Sequence, residues 1–271
     1  MNRQNRSPVF YACTFLLSIA FISPLVWALY SSFAPAPGTA QTDGFGLGNY
    51  RSLLSYGRGL PVYLSNSLIV SLVAVVLTVI VTTTAGYAFA RFNFKGKQFL
   101  FILTLSVMMV PYAALLIPLL VWLSQINLNN SLVGVGLVLT LFQLPLCVFI
   151  MRNAFLGLPK ELEEAAYIDG CNSFSAFCRI LLPSVVPSVV TVALFTYLAA
   201  WNDFMVSLYL VSMDNAPLPL ALVNMRQQTM GVIDYGATTA GVVILSIPAV
   251  ILFLALQKYY VRGFTSGAVK G

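Results

Sequence analysis

Charge is scarce in this 271-residue chain: only 8% of its residues are Asp, Glu, Lys or Arg, and it has no histidine. Set against 59% hydrophobic residues, so little charge excludes a soluble domain, which would expose more apolar surface than water tolerates. The four cysteines, Cys13, Cys147, Cys171 and Cys178, show no C-x-x-C spacing, and no histidine is available to complete a zinc site. Neither a metal site nor a disulfide is expected. Cys13 and Cys147 fall in apolar runs, where a thiol behaves as a small hydrophobe. Cys171 and Cys178 fall on the side assigned below to the cytoplasm, where thiols stay reduced. A phosphate-cradling loop is missing too. Lys97 follows Gly96, but no glycine stands five residues before Gly96 and no Ser or Thr follows the lysine, so this chain is not expected to bind or hydrolyse ATP.

What is there is length of apolar run. A helix needs roughly 20 apolar residues to cross the hydrocarbon core, and six segments meet that need, at about 9–30, 65–90, 98–124, 132–152, 184–210 and 237–260. The first follows Arg3 and Arg6 as a signal peptide would, but Val9 to Tyr30 exceeds the roughly 7–15 residues of a cleavable apolar region, so it reads as a retained anchor.

The basic excess, fourteen Lys+Arg against eight Asp+Glu, is scattered between these runs. A nucleic-acid binder would gather it on one face among aromatics, so no nucleic-acid partner is expected. Arg3, Arg6, Arg91, Lys95, Lys97, Arg152, Lys160, Arg179, Lys258, Arg262 and Lys270 share one side, and only Arg51, Arg58 and Arg226 lie opposite. The positive-inside bias then puts both termini in the cytoplasm. Ser31 to Ser65 becomes an extracytoplasmic segment, and Met213 to Tyr235 an outer loop with room for a short re-entrant helix. Within that loop Asn224, Arg226 and Gln227 are candidates for contact with an external protein, a solvated loop being the alternative.

Between the fourth and fifth spans lies a polar island on the cytoplasmic side. Pro159 suits a first helical position. Glu161, Glu163 and Glu164 fill the first turns, where the helix dipole favours negative charge. Ala165 and Ala166 keep this helix slim, and Gly170 can end it in a left-handed cap. Ser173 is a plausible N-cap for a second helix, with Phe174, Phe177, Ile180 and Leu181 on one face, and Pro183 and Pro187 turn the chain into the fifth span. Two short helices joined at a glycine make a stiff knob. Taken on composition alone, the same stretch is also an amphipathic interfacial helix with acidic caps.

Glu164-Ala165-Ala166, Gly170, Ile180, Leu182 and Pro183 match E-A-A-x3-G-x9-I-x-L-P without a gap. This resembles the ATPase-docking motif of the permease subunits of binding-protein-dependent ABC importers, with Cys171 where Ala is common. Gly86-Tyr87-Ala88-Phe89-Ala90-Arg91 followed by Lys95-Gly96-Lys97, Leu128-Asn129-Asn130-Ser131-Leu132, Trp201-Asn202-Asp203-Phe204 and the ending Tyr259 to Gly271 resemble the carbohydrate branch of that family, as in the smaller maltose permease subunit. The resemblance implies an all-α integral membrane protein with six transmembrane helices and a cytoplasmic two-helix coupling element. It implies an anchor and extracytoplasmic segment at 1–64, the permease domain at 65–262 with its coupling motif at 159–183, and a tail at 263–271. Coupling falls to Glu164, Ala165, Ala166, Asp169, Gly170, Ile180, Leu182 and Pro183. The implied partners are a second permease subunit, two ATPase subunits that hold ATP and magnesium, an extracytoplasmic solute-binding protein and membrane lipid. This chain itself carries no cofactor. The membrane implied is the cytoplasmic membrane of a bacterium or archaeon.

Asp203 is the only carboxylate placed inside a span, where a charge costs roughly 2.5–3.5 kcal/mol at the bilayer centre. With Asn202 it is a candidate for the solute pathway; an interfacial anchor beside Trp201 is the alternative. Gln143 and Pro145 are expected to interrupt the fourth span, and Pro111 and Pro118 the third, which makes Gln143 a further pathway candidate. The rival to the importer is a secondary transporter driven by an ion gradient. Proton coupling generally needs buried titratable groups, of which the spans offer only Asp203. Within the importer family, a phosphorylated polyol is the alternative solute.

Overall fold

In hydrocarbon a backbone has to satisfy its own hydrogen bonds, and the apolar runs do so as helices. The structure, a computed structural model, describes residues 8–35, 44–228 and 234–268. Arg3, Arg6 and Lys270, used above for orientation, lie outside the described residues, as do the side chains of Arg226, Gln227, Lys258 and Arg262. Every regular element among the described residues is helical: α1 (Pro8–Phe33), α2 (Gly48–Ser55), α3 (Leu60–Arg91), α4 (Lys97–Ser106), α5 (Tyr112–Gln125), α6 (Leu132–Leu156), α7 (Glu161–Ile168), α8 (Ser173–Ala176), α9 (Leu182–Ser184), α10 (Val186–Trp201), α11 (Met205–Leu210), α12 (Leu218–Gln228) and α13 (Tyr235–Ala268). A 3-10 turn at Val107–Met109 extends α4, and a π turn at Phe177–Leu181 joins α8 to α9.

Four helices are long and apolar enough to span alone: α1, α3, α6 and Tyr235–Leu256 of α13. Two bent pairs bring the number to six. Lys97–Met109 and Tyr112–Gln125 meet at 104°, and Ser173–Ser184 and Val186–Trp201 at 75°. The third span is thus broken at Pro111, whose missing N–H ends the helical ladder, whereas Pro118 sits inside α5 without ending it. The fourth departs from expectation: α6 runs unbroken through Gln143 and a buried Pro145 for 25 residues. The fifth departs as well, since α10 stops at Trp201 and the chain restarts as α11 at Met205. Asp203 therefore lies at an interruption and not within a helix.

The chain divides into two compact units. One contains α1, α2 and the segment Ala221–Ile247. In it Asn49 is fully buried and donates from Nδ2 to the carbonyls of Ser32 (3.0 Å) and Ala34 (3.3 Å), satisfying acceptors that the end of α1 leaves open. The Ser32 and Tyr50 hydroxyls share a 2.8 Å hydrogen bond, so α2 is fastened to α1 twice. Gly236 lies against the Asn49 amide, and any Cβ there would run into it.

The other unit holds Val62–Leu220 and the segment from Pro248 onward. Its core forms where α3 and α6 pack closely. A Cβ at Gly136 would lie 2.6 Å from Val73 Cγ1, and one at Gly86 2.6 Å from Met151 Cβ and 2.9 Å from the Arg152 backbone nitrogen. Small residues let helix backbones approach, and dispersion then does what the hydrophobic effect does in water. One apolar cluster gathers Val70, Leu116, Val135, Val138, Ala200 and Leu210; a second gathers Tyr87, Met151, Phe155, Leu181 and Val192 at the end of α3 that carries Arg91.

Gly86→Ala should lower stability by about 1–3 kcal/mol, because the new methyl meets backbone that cannot swing aside. Thermal unfolding of the detergent-purified protein measures this, with Gly157→Ala as control: there the nearest atoms to a Cβ are 3.4 Å away and the midpoint should barely move.

Candidate functional site

The polar island folds as a knob of two short helical segments. Lys160 caps α7, so Pro159 stands before the cap and not at the first helical position as its sequence suggested. The left-handed glycine cap is present. Gly170 has φ +81°, its N–H donates to the Tyr167 carbonyl (3.1 Å), and the Cys171 N–H donates to the Ala166 carbonyl (2.9 Å). This paired closure uses carbonyls that α7 would otherwise leave open. The second segment is capped one residue earlier than expected: Asn172 Oδ1, not Ser173, accepts the Ser175 N–H at 2.8 Å. An amide reaches this N–H as a hydroxyl does, and Ser173 is drawn instead toward the Tyr167 hydroxyl at 3.4 Å.

The π turn alters which side chains face inward. Ala176 and Leu181, five residues apart, are both fully buried, while Phe174 is 76% exposed and only Phe177 of the expected aromatic pair turns in. Five-residue spacing is what a π turn brings into line, so the regular helical face anticipated for Phe174, Phe177, Ile180 and Leu181 is not formed. Of the motif residues, Glu164, Ala165, Asp169, Gly170 and Pro183 are exposed, Ile180 and Leu182 are half-buried, and Ala166 is buried. Beside them Ile168 is 86% exposed.

Behind the knob lies a cluster that the motif does not contain. Glu163 Oε1 accepts from the Tyr87 hydroxyl and the Tyr167 hydroxyl, each at 2.9 Å, and Glu163 Oε2 lies 3.3 Å from Arg91 Nε. Arg91 also donates from Nη2 to the Leu158 carbonyl at 2.9 Å. The side chains of Arg91 and Glu163 are only 6% and 13% exposed. Such a buried pair is held by its extra hydrogen bonds, and removing one partner costs about 3–5 kcal/mol because the other charge is left stranded. The Tyr87 ring packs against Phe177 (4.8 Å between centroids) and Phe155 (5.5 Å), closing the apolar side of the cluster. On the open side a polar cleft of 340 Å³ is lined by Arg91, Asn93, Lys160, Glu163, Glu164 and Tyr167. One signal in the sequence marks the cluster: Tyr87 and Arg91 stand four residues apart, on one face, at the end of a helix that is otherwise apolar.

Among the pathway candidates, Asp203 is half-buried and caps α11. Its Oδ1 accepts the Val206 N–H (3.1 Å), and its Oδ2 accepts the Ser207 N–H (2.9 Å) and hydroxyl (2.8 Å). Asn202 is exposed and donates back to the Leu198 carbonyl at 2.8 Å. Gln143 is half-buried on α6.

Comparison with known proteins bears on this arrangement. Residues 82–266 match the family model described as binding-protein-dependent transport system inner membrane component. The chain is 34% identical over 269 residues to the arabinooligosaccharides transport system permease protein AraQ of Halalkalibacterium halodurans, covering 93% of each chain. It is 33% identical over 264 residues to the trehalose/maltose transport system permease protein MalG of Thermococcus litoralis, covering 94% of each. In fold it is similar to a chain of a bacterial ABC transporter involved in the import of the acidic polysaccharide alginate, with a TM-score of 0.78, 18% identity and coverage of 96% of this chain and 100% of that one.

Substitutions at two positions test the local geometry. Gly170→Val should cost about 1–2 kcal/mol through its left-handed φ alone, since a Cβ there meets nothing within 4 Å, and Gly170→Asn should cost less. Asp203→Ala should lose about 0.5–2 kcal/mol of capping, whereas Asp203→Asn, itself a good cap, should stay near wild type. Thermal unfolding in detergent ranks all four.

Proposed function

The chain belongs to the family of binding-protein-dependent transport system inner membrane components, and from that membership we propose that it forms half of an ATP-driven import pore for a sugar or related polyol. Its partner in the pore is a second permease subunit. Two ATPase subunits dock on the cytoplasmic side, and a solute-binding protein delivers from outside. Both termini lie in the cytoplasm, in keeping with the Lys and Arg distribution.

The observation that carries the coupling role is the knob itself. It is stiffened by a glycine closure, an asparagine cap and a buried inner face, and it exposes Glu164, Ile168 and Phe174. ATP binding draws the ATPase pair together and swings the knobs; the spans follow and the pore changes from inward to outward access, and hydrolysis resets it. Glu164 pairs with a basic residue of the ATPase, and Gly170 leaves room for its surface. The ATP and magnesium belong to the ATPase subunits, and this chain performs no catalysis. The sugar reading rests on relatives whose names specify arabinooligosaccharides and trehalose/maltose. Asn202, Asp203 and Gln143 stay candidates for the pathway; in Asp203 Oδ2 takes two capping bonds and Oδ1 one, so Oδ1 is the oxygen with capacity left for a hydroxylated solute.

A tagged copy purified from membranes in mild detergent should bring with it a second permease and an ATPase, identified by mass spectrometry. Gly170→Arg should release the ATPase and keep the permease pair. Recovery of the chain alone, with uptake driven by an ion gradient in vesicles, would overturn the proposal.

A further inference from the structure

The three carboxylates at the start of α7 do not face the same way. Glu164, the glutamate of the motif, is exposed. Glu163, one residue earlier, is turned into the protein and held by Tyr87, Arg91 and Tyr167. Chain connectivity ties the knob to α6 on one side and α10 on the other. Helix α3 is a different matter: Arg91 and Glu163 are 72 positions apart in the sequence, so whatever links α3 to the knob is made by side chains.

Those side chains are of two kinds. The ring contacts of Tyr87 with Phe177 and Phe155 resist compression, but apolar contact is non-directional and permits sliding. The bonds from the Tyr87 and Tyr167 hydroxyls to the carboxylate are directional and charge-assisted, the Arg91 ion pair adds its charge beside them, and together they fix register. Stability does not account for them, because a well-packed apolar pair of similar volume is often as stable as a buried ion pair or more so. The cluster also reaches every part that has to move together. Arg91 holds the Leu158 carbonyl in the link between α6 and α7, and Tyr167 lies 3.4 Å from Ser173 at the start of the second helical segment.

We propose that Glu163, gripped by Arg91 and Tyr87, is a positioning strut that carries movement of the knob to α3. The proposal rests on the reading of the knob as an ATPase dock. Glu164 then serves the contact with the ATPase, and Glu163 delivers the displacement to the second span. The strut works without touching solute or nucleotide.

The test uses the full complex purified with its ATPase, trapped with MgATP and vanadate, and followed by hydrogen-exchange mass spectrometry in two segments: the knob (160–175) and the end of α3 (84–93). In the wild type, trapping should change exchange in both. Glu163→Gln keeps an acceptor for the tyrosines and removes the charge. It should retain the ATPase and the knob response and lose the α3 response. Arg91→Lys, which keeps the charge, should retain part of the α3 response, and Tyr87→Phe, which removes one hydroxyl, should weaken it. An α3 response that survives Glu163→Gln unchanged would overturn the strut. So would loss of the ATPase from all three variants, which would assign the cluster to folding. A wild-type chain that retains no ATPase would overturn the docking reading itself, and the strut would fall with it.

Discussion

Hydrocarbon offers a backbone no hydrogen-bond partner, and the placement of this chain's few polar side chains follows from that constraint. Where the helices run on, the main chain satisfies itself. Where they stop, a polar side chain takes over the orphaned groups. Asp203 accepts the first N–H groups of α11 after α10 ends, and Asn49 donates to the last carbonyls of α1. Asn130, itself at φ +52°, accepts the Ser212 N–H (2.8 Å) and takes a bond from Asn215 Nδ2 to its own carbonyl, joining two irregular segments. A composition with so little charge is adequate because the need for polar groups arises only at interruptions.

The Arg91–Glu163 cluster is the exception, since it caps nothing at Glu163. Two charges and two hydroxyls converge in a place of the kind that apolar packing often fills with no loss of stability. What they add is a fixed register between α3 and α7. Close packing at Gly86 and Gly136 makes α3 and α6 one slab, so a register fixed at the end of α3 is passed to α6 as well.

Much of this was legible in the sequence for reasons of scale. A run of apolar residues long enough to span is a strong signal: four of the six segments hold a helix that spans alone, and the third and fifth are helical with breaks at Pro111 and after Trp201. So is the island, whose glycine cap was anticipated at Gly170. What was not legible is phase. Three acidic positions within four residues, Glu161, Glu163 and Glu164, differ only in the direction each faces, and that depends on where α3 lies behind them. The π turn is invisible for the same reason: five-residue spacing between Ala176 and Leu181 leaves no mark beside a regular helix of the same residues. Pro145 shows the converse. A proline reads as an interruption, yet in a long helix packed on its neighbours the missing bond is absorbed without a break.

The exposed stripe of α7 discriminates between the two uses open to a short helix at this place. Glu161, Glu164, Ala165 and Ile168 follow one another at spacings of three, one and three, so they share a face, and all four are exposed. A helix lying in a lipid interface separates its apolar residues from its charged ones and favours Lys and Arg on the polar side. Here an exposed isoleucine shares its stripe with two carboxylates, which the negative surface of a cytoplasmic leaflet would repel. An apolar contact ringed by charge is the anatomy of a protein interface. Ala166 is buried against the chain's own helices, while Leu162, Tyr167 and Ile168 stay exposed beside the carboxylates, a mixture that suits a protein groove with basic walls better than a membrane surface.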